Sequence, residues 1–76
     1  MSLRSQPARK VIKALSTLGF KVARKHGSHV VMKHSDGRIT VIPVHAKENI
    51  SVGLLLKIMK DVKLEREEFF KLIAKT

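Results

Sequence analysis

The chain has 76 residues, 43% of them hydrophobic and 4% aromatic, with no Trp, Tyr or Cys. A chain this short buries only ~60% of the surface its unfolded form exposes. The expectation is therefore a single domain spanning residues 1–76 with an aliphatic core. The absence of cysteine excludes disulfide scaffolds, thiolate metal sites and thiol catalysis. Sixteen Lys and Arg against six Asp and Glu give a net charge of +10. That balance suits a protein that meets a polyanion, most often nucleic acid, or else an acidic protein. Residues 1–35 carry eight basic residues and no acid, residues 36–63 five basic and three acidic, and residues 64–76 three of each. No apolar run approaches the ~20 residues that cross a bilayer, and no signal-peptide pattern opens the chain. A cytoplasmic protein without membrane contact is expected.

Residues 1–5 read as a frayed start. A helix is expected from near Pro7, with Ser5 as N-cap. Ala8, Val11, Ile12, Leu15 and Leu18 recur at helical spacing, and Gly19 closes the helix. The apolar period then changes to two. Strands are expected over residues 20–24, 28–34 and 38–43, with a break at His26-Gly27. Asp36-Gly37 reads as a two-residue hairpin turn. Such a turn sets Ser35 opposite Arg38, Met32 opposite Val41, Val31 opposite Ile42 and His29 opposite Val44. Val30, Met32, Ile39 and Val41 then join Phe20 and Val22 on the core face. His29, Val31, Lys33, Thr40 and Ile42 occupy the other face. Pro43 ends the last strand, and residues 44–49 form a polar loop carrying His45, Lys47 and Glu48. Ser51 is expected to cap a second helix over residues 52–62. Leu54, Leu55, Ile58, Met59 and Val62 make its apolar face. A third helix over residues 65–74 has Glu65, Glu67 and Glu68 in its first turn and Phe69, Phe70, Leu72 and Ile73 on its apolar side. The order α-β-β-β-α-α predicts an α+β fold: a three-stranded antiparallel sheet with helices on one face, as in double-stranded RNA-binding domains. The other sheet face is left open to a ligand.

Four histidines, His26, His29, His34 and His45, are dense for this length. None forms the i, i+4 helical pair of a zinc protease, and no carboxylate sits among them, so no metal centre is expected. Ser28 and His29 are neighbours on a strand and point apart, which argues against a serine-hydrolase arrangement. Asp36 is accounted for by its turn. A lone histidine can instead promote attack of an RNA 2′-hydroxyl on the adjacent phosphorus, because imidazole exchanges protons near neutral pH. Lys25, Lys33, Arg24 and Lys47 could offset the phosphate charge. Gly27 allows a tight turn or the close approach of a ligand backbone, and Ser28 with its neighbouring amides could touch phosphate. The plainer readings are an exposed strand histidine and a glycine-containing connector.

Gly27-Ser28-His29 opens a strand, followed by His34, the Asp36-Gly37 hairpin, Pro43-Val44-His45 and a glycine-containing helix start at residues 50–54. In that order and spacing, over about residues 7–73, the chain resembles the HicA toxins of toxin–antitoxin systems. It departs at Met32, where the family often has Tyr, and at Leu54 and Leu55, where polar or basic residues are common. The resemblance implies a double-stranded RNA-binding-like fold and a ribosome-independent mRNA interferase blocked by a HicB antitoxin. It implies that His29 is the catalytic residue. The resulting expectation is a metal-independent endoribonuclease without cofactor. His29 is its general acid/base, and Lys25, Gly27, Ser28, Lys33, His45 and Lys47 are candidate RNA-binding residues. Its partners are mRNA and an acidic HicB-like antitoxin. The alternatives are a non-catalytic RNA-binding domain and a module that retains only antitoxin binding.

Overall fold

The computed structural model describes residues 4–45 and 48–76. The first residues of the expected frayed start and Lys47 of the polar loop lie outside them. In chain order the elements are β1 (Gln6–Pro7), α1 (Ala8–Thr17), β2 (Lys21–His26), β3 (His29–Lys33), β4 (Ile39–Pro43), β5 (Asn49–Ile50), α2 (Val52–Asp61) and α3 (Arg66–Ala74). Strands β2, β3 and β4 form an antiparallel sheet in that order. The expected fold class, three strands with helices in the order α-β-β-β-α-α, is the one observed.

The first helix buries Val11, Ala14 and Leu15 on one side. It ends as its glycine requires. The Gly19 N–H donates to the Ser16 carbonyl and the Phe20 N–H to the Leu15 carbonyl, with Gly19 at φ +100°. This paired closure needs a left-handed residue after the C-cap. Its start differs from expectation: Pro7 takes the N-cap position, without a side-chain cap. Ser5 belongs instead to the beginning of a short ladder in which Gln6 faces Ile50 and Pro7 faces Asn49. The Ser5 hydroxyl lies 3.5 Å from Asn49 Nδ2, drawn to that ladder and away from the helix end. At α2, Ser51 caps as expected, its hydroxyl accepting from the Leu54 N–H. At α3, Glu65 and Glu68 form a reciprocal capping box.

The hairpin between β3 and β4 corrects the expected register. The observed partners are Lys33 with Ile39, Met32 with Thr40, Val31 with Val41, Val30 with Ile42 and His29 with Pro43. The loop holds three residues. His34 N–H donates to the Arg38 carbonyl, and Gly37 N–H closes a turn on the His34 carbonyl, with Gly37 at φ +100°. This is a type I turn followed by a left-handed residue, the usual three-residue hairpin. One extra loop residue turns β4 over and leaves β3 as it was. Thr40 and Ile42 therefore join Val30 and Met32 in the core, while Ile39 (51% exposed) and Val41 (38% exposed) lie on the open face. Buried Thr40 is accommodated because its hydroxyl donates to Asp61 Oδ2 at 3.0 Å. Asp61 also accepts from Lys57 at 3.1 Å.

Val22 also departs from expectation. It faces Met32 and so lies on the helix side, yet it is 45% exposed because β2 is the sheet edge. A bulge between Val22 and Arg24 shifts the pairing, setting Arg24 opposite Val31 and Lys25 opposite Val30.

The β3–β4 turn also closes two helices. His34 Nε2 lies 3.0 Å from the carbonyl of Leu18, the C-cap of α1. Arg38 Nη1 donates to the carbonyl of Val62, the C-cap of α2, at 2.6 Å. Asp36 links the two. Its N–H donates to His34 Nδ1 at 3.1 Å, and its carboxylate accepts from the Arg38 N–H at 3.0 Å and Nε at 2.8 Å. His34 Nδ1 also lies 3.1 Å from Asp36 Oδ1, so the ring is held by Asp36 on one side and by the Leu18 carbonyl on the other. The Phe20 ring packs between them, with the His34 and Arg38 groups each 5.1 Å from its centre.

Candidate functional site

The helices cover one face of the sheet and leave the other open. Residues directly opposite each other in antiparallel strands share a face. By that rule the open face carries Lys21, Arg24 and His26 from β2, His29, Val31 and Lys33 from β3, and Ile39, Val41 and Pro43 from β4. The result is a row of aliphatic side chains on β4 flanked by cations on β2 and β3.

His29 starts β3 on this face and is exposed. Among the described residues its ring has no hydrogen-bond partner, whereas both ring nitrogens of His34 are engaged. His26 is its cross-strand neighbour. The turn between them is Gly27-Ser28, with Gly27 at φ +60° in the first central position, as a type II′ hairpin requires. The space beside Gly27 is open. The Ser28 carbonyl accepts from the Val44 N–H at 2.6 Å, which ties this turn to the segment leading into His45.

Beside His29 lies an open groove of about 490 Å³. His29 and Pro43 form one side. His45, Glu48 and the start of α2 at Ser51 form the other, with Lys57 further along. Two of the expected candidates, His29 and His45, thus meet in one concavity. Lys33 shares the open face but sits at the far end of β3, four residues on and roughly 13 Å away at ~3.3 Å per strand residue. Lys25 lies on the opposite, helix-side face, bordering a smaller hollow with Ile12, Val22 and Val30. The bulge carries Arg24 to the open face in its place. Arg24 and Lys21 are therefore the β2 cations that accompany His29, and strict alternation along β2 would not have placed both there. Lys57, which reads from sequence as a solvated helix residue, faces the groove.

Asp36, in the β3–β4 turn, has a lowered pKa. The Arg38 backbone N–H, helped by its guanidinium, holds the carboxyl below the usual carboxylate range. Its causes are the turn contacts, far from the groove. Among the described residues, no three His, Asp or Glu side chains gather closely enough to hold a metal ion, and no helix is long and apolar enough to cross a membrane. A search of curated proteins finds no match. A family model described as the HicA toxin of bacterial toxin–antitoxin systems matches residues 8–64.

Proposed function

The chain belongs to the HicA toxin family of bacterial toxin–antitoxin systems, and from that membership we propose that it is a metal-independent endoribonuclease that cleaves mRNA in the cytoplasm. His29 is its general acid/base, and an acidic HicB-like antitoxin holds it in check. The observation that carries the reading is the contrast between two histidines. His34 is bound at both nitrogens inside the turn, while His29 has no hydrogen-bond partner among the described residues and stands on the uncovered, cationic sheet face at the mouth of a groove.

An RNA strand laid on this face meets Arg24, Lys21 and Lys33 through its phosphates. His29 takes the proton of the 2′-hydroxyl as that oxygen attacks phosphorus. The P–O5′ bond breaks, leaving a 2′,3′-cyclic phosphate and a 5′-hydroxyl. Metal ions that assist phosphoryl transfer favour clustered carboxylate oxygens; the open sheet face carries none among the described residues, and the groove brings a single carboxylate, Glu48. Cleavage is therefore expected to survive excess EDTA. Loss in EDTA with recovery in Mg²⁺ would replace this mechanism with a metal-assisted one.

The decisive variant is His29→Ala. Folding should change by no more than about 0.5 kcal/mol, the scale of a surface substitution. RNA affinity should fall modestly, because the cations remain. Single-turnover cleavage should drop by about 10²- to 10⁴-fold. Melting temperature, affinity and cleavage are measured on the same preparation. A folded variant that binds and cleaves normally would remove His29 from the chemistry. Retained RNA binding by a wild-type protein that never cleaves would leave a non-catalytic RNA-binding domain.

A further inference from the structure

We propose that His45 is the general acid of the cleavage reaction, delivering a proton to the departing 5′ oxygen while His29 removes the 2′ proton. The proposal rests on the endoribonuclease reading above and adds a second catalytic group to it. In an in-line displacement the attacking and leaving oxygens occupy opposite apices of the phosphorus. An imidazole positioned at one apex cannot hydrogen-bond the other in the same step, so the second proton needs a second group. The O2′–P bond forms as the P–O5′ bond breaks. One proton passes from O2′ to His29 and one from protonated His45 to O5′, and the two rings then regain their starting states by exchanging a proton with water.

The groove supplies few candidates for that second group. Its ionisable side chains are His29, His45, Glu48 and Lys57. Lys57 is paired with Asp61 at 3.1 Å. An ionised Glu48 would repel phosphate and has no proton to give. His45 is exposed, and the backbone on either side of it is tied down. The Val44 N–H donates to the Ser28 carbonyl at 2.6 Å, and the His45 carbonyl accepts from the Glu48 N–H at 3.2 Å. The first of these bonds joins the residue before His45 to the residue before His29, which holds the two histidines at one end of the sheet.

The test uses an oligoribonucleotide spanning a linkage that the wild-type protein cuts. It is made once with the natural 5′ oxygen and once with a bridging 5′ sulfur, whose thiolate leaves without a proton. His45→Ala is expected to slow cleavage of the natural linkage by about 10²- to 10³-fold and to cut the sulfur linkage at near the wild-type rate. His29→Ala should be slow on both. His45→Gln, which keeps a polar side chain of similar reach, should behave as His45→Ala does. Normal cleavage of the natural linkage by His45→Ala would overturn the proposal. So would equal slowing on both linkages, which would make His45 an RNA-binding or positioning residue. A wild-type protein that cuts no RNA, so that no such linkage is found, would remove the endoribonuclease reading itself, and the role of His45 with it.

Discussion

His29 and His34 lie five positions apart, and the fold uses them for different ends. Sequence parity alone separates their faces. It could not reveal that His34 closes α1, because the Leu18 carbonyl it meets lies 16 residues away. Gly19 shows the same limit. Its place after an apolar helical stripe marks a helix end, but not the ring packed against it. A Cβ at Gly19 would sit 3.1 Å from His34 Nε2, at φ +100°. Gly19→Ala should therefore destabilise the protein by about 1–3 kcal/mol, the cost of a left-handed non-glycine residue. Gly53 is the converse. It lies within α2, and a Cβ there meets nothing within 4 Å. Gly53→Ala should stabilise by about 0.5 kcal/mol through the entropy of the unfolded chain. Urea unfolding of the two variants checks both signs. A Gly19→Ala protein as stable as wild type would show that neither the left-handed backbone at this position nor the ring of His34 penalises a side chain there.

At the scale of elements, the helices were legible from their apolar spacing and Ser51, and β3 from its alternation. The face of β4 was not. Ile39 and Val41 look like core residues and Thr40 does not, so the two-residue turn and the hydrophobic pattern agreed on the wrong register. What decides the matter is non-local: Asp61, on α2, gives the Thr40 hydroxyl a buried partner. The bulge in β2 was hidden for a similar reason, since no residue type demands it. The turn that sets this register also ties the ends of α1 and α2 through Asp36, His34 and Arg38. Because the fold lowers the Asp36 pKa from 3.8, it favours the ionised form. Its contribution is present above the unfolded value and is lost as pH falls through the folded one. Melting temperature should accordingly decline below about pH 4, and less steeply in Asp36→Asn, which lacks the titrating group. Identical acid slopes in the two proteins would acquit Asp36 of this sensitivity.

For the molecule as a whole, composition announced a strongly basic protein and the Gly27-Ser28-His29 to Pro43-Val44-His45 series announced the family. Neither could show which side chains share the open face. With the corrected register, the apolar residues beside its cations are Val31, Ile39 and Val41, with Ile42 buried. An acidic antitoxin that covers this face would gain apolar burial and charge complementarity together. Ile39 is the most exposed of the three and lies opposite Lys33, away from the groove. Ile39→Glu should leave folding within about 0.5 kcal/mol of wild type and weaken the complex with the cognate antitoxin by about tenfold or more, since like charges across an interface are repelled. Calorimetric titration against that antitoxin reads the change. Unaltered affinity would mean that the antitoxin docks on another face.

The short ladder of β1 with β5 has a bearing on how the protein is made. Gln6 emerges from the ribosome early, yet its partner is Ile50. The strands that carry the cationic face end at Pro43. The wall of the groove formed by His45, Asn49, Ile50 and Ser51 is translated only afterwards. During synthesis, every residue of the three-stranded sheet therefore exists before the groove beside His29 can be assembled, and the order of translation makes that groove the last part of the open side to form.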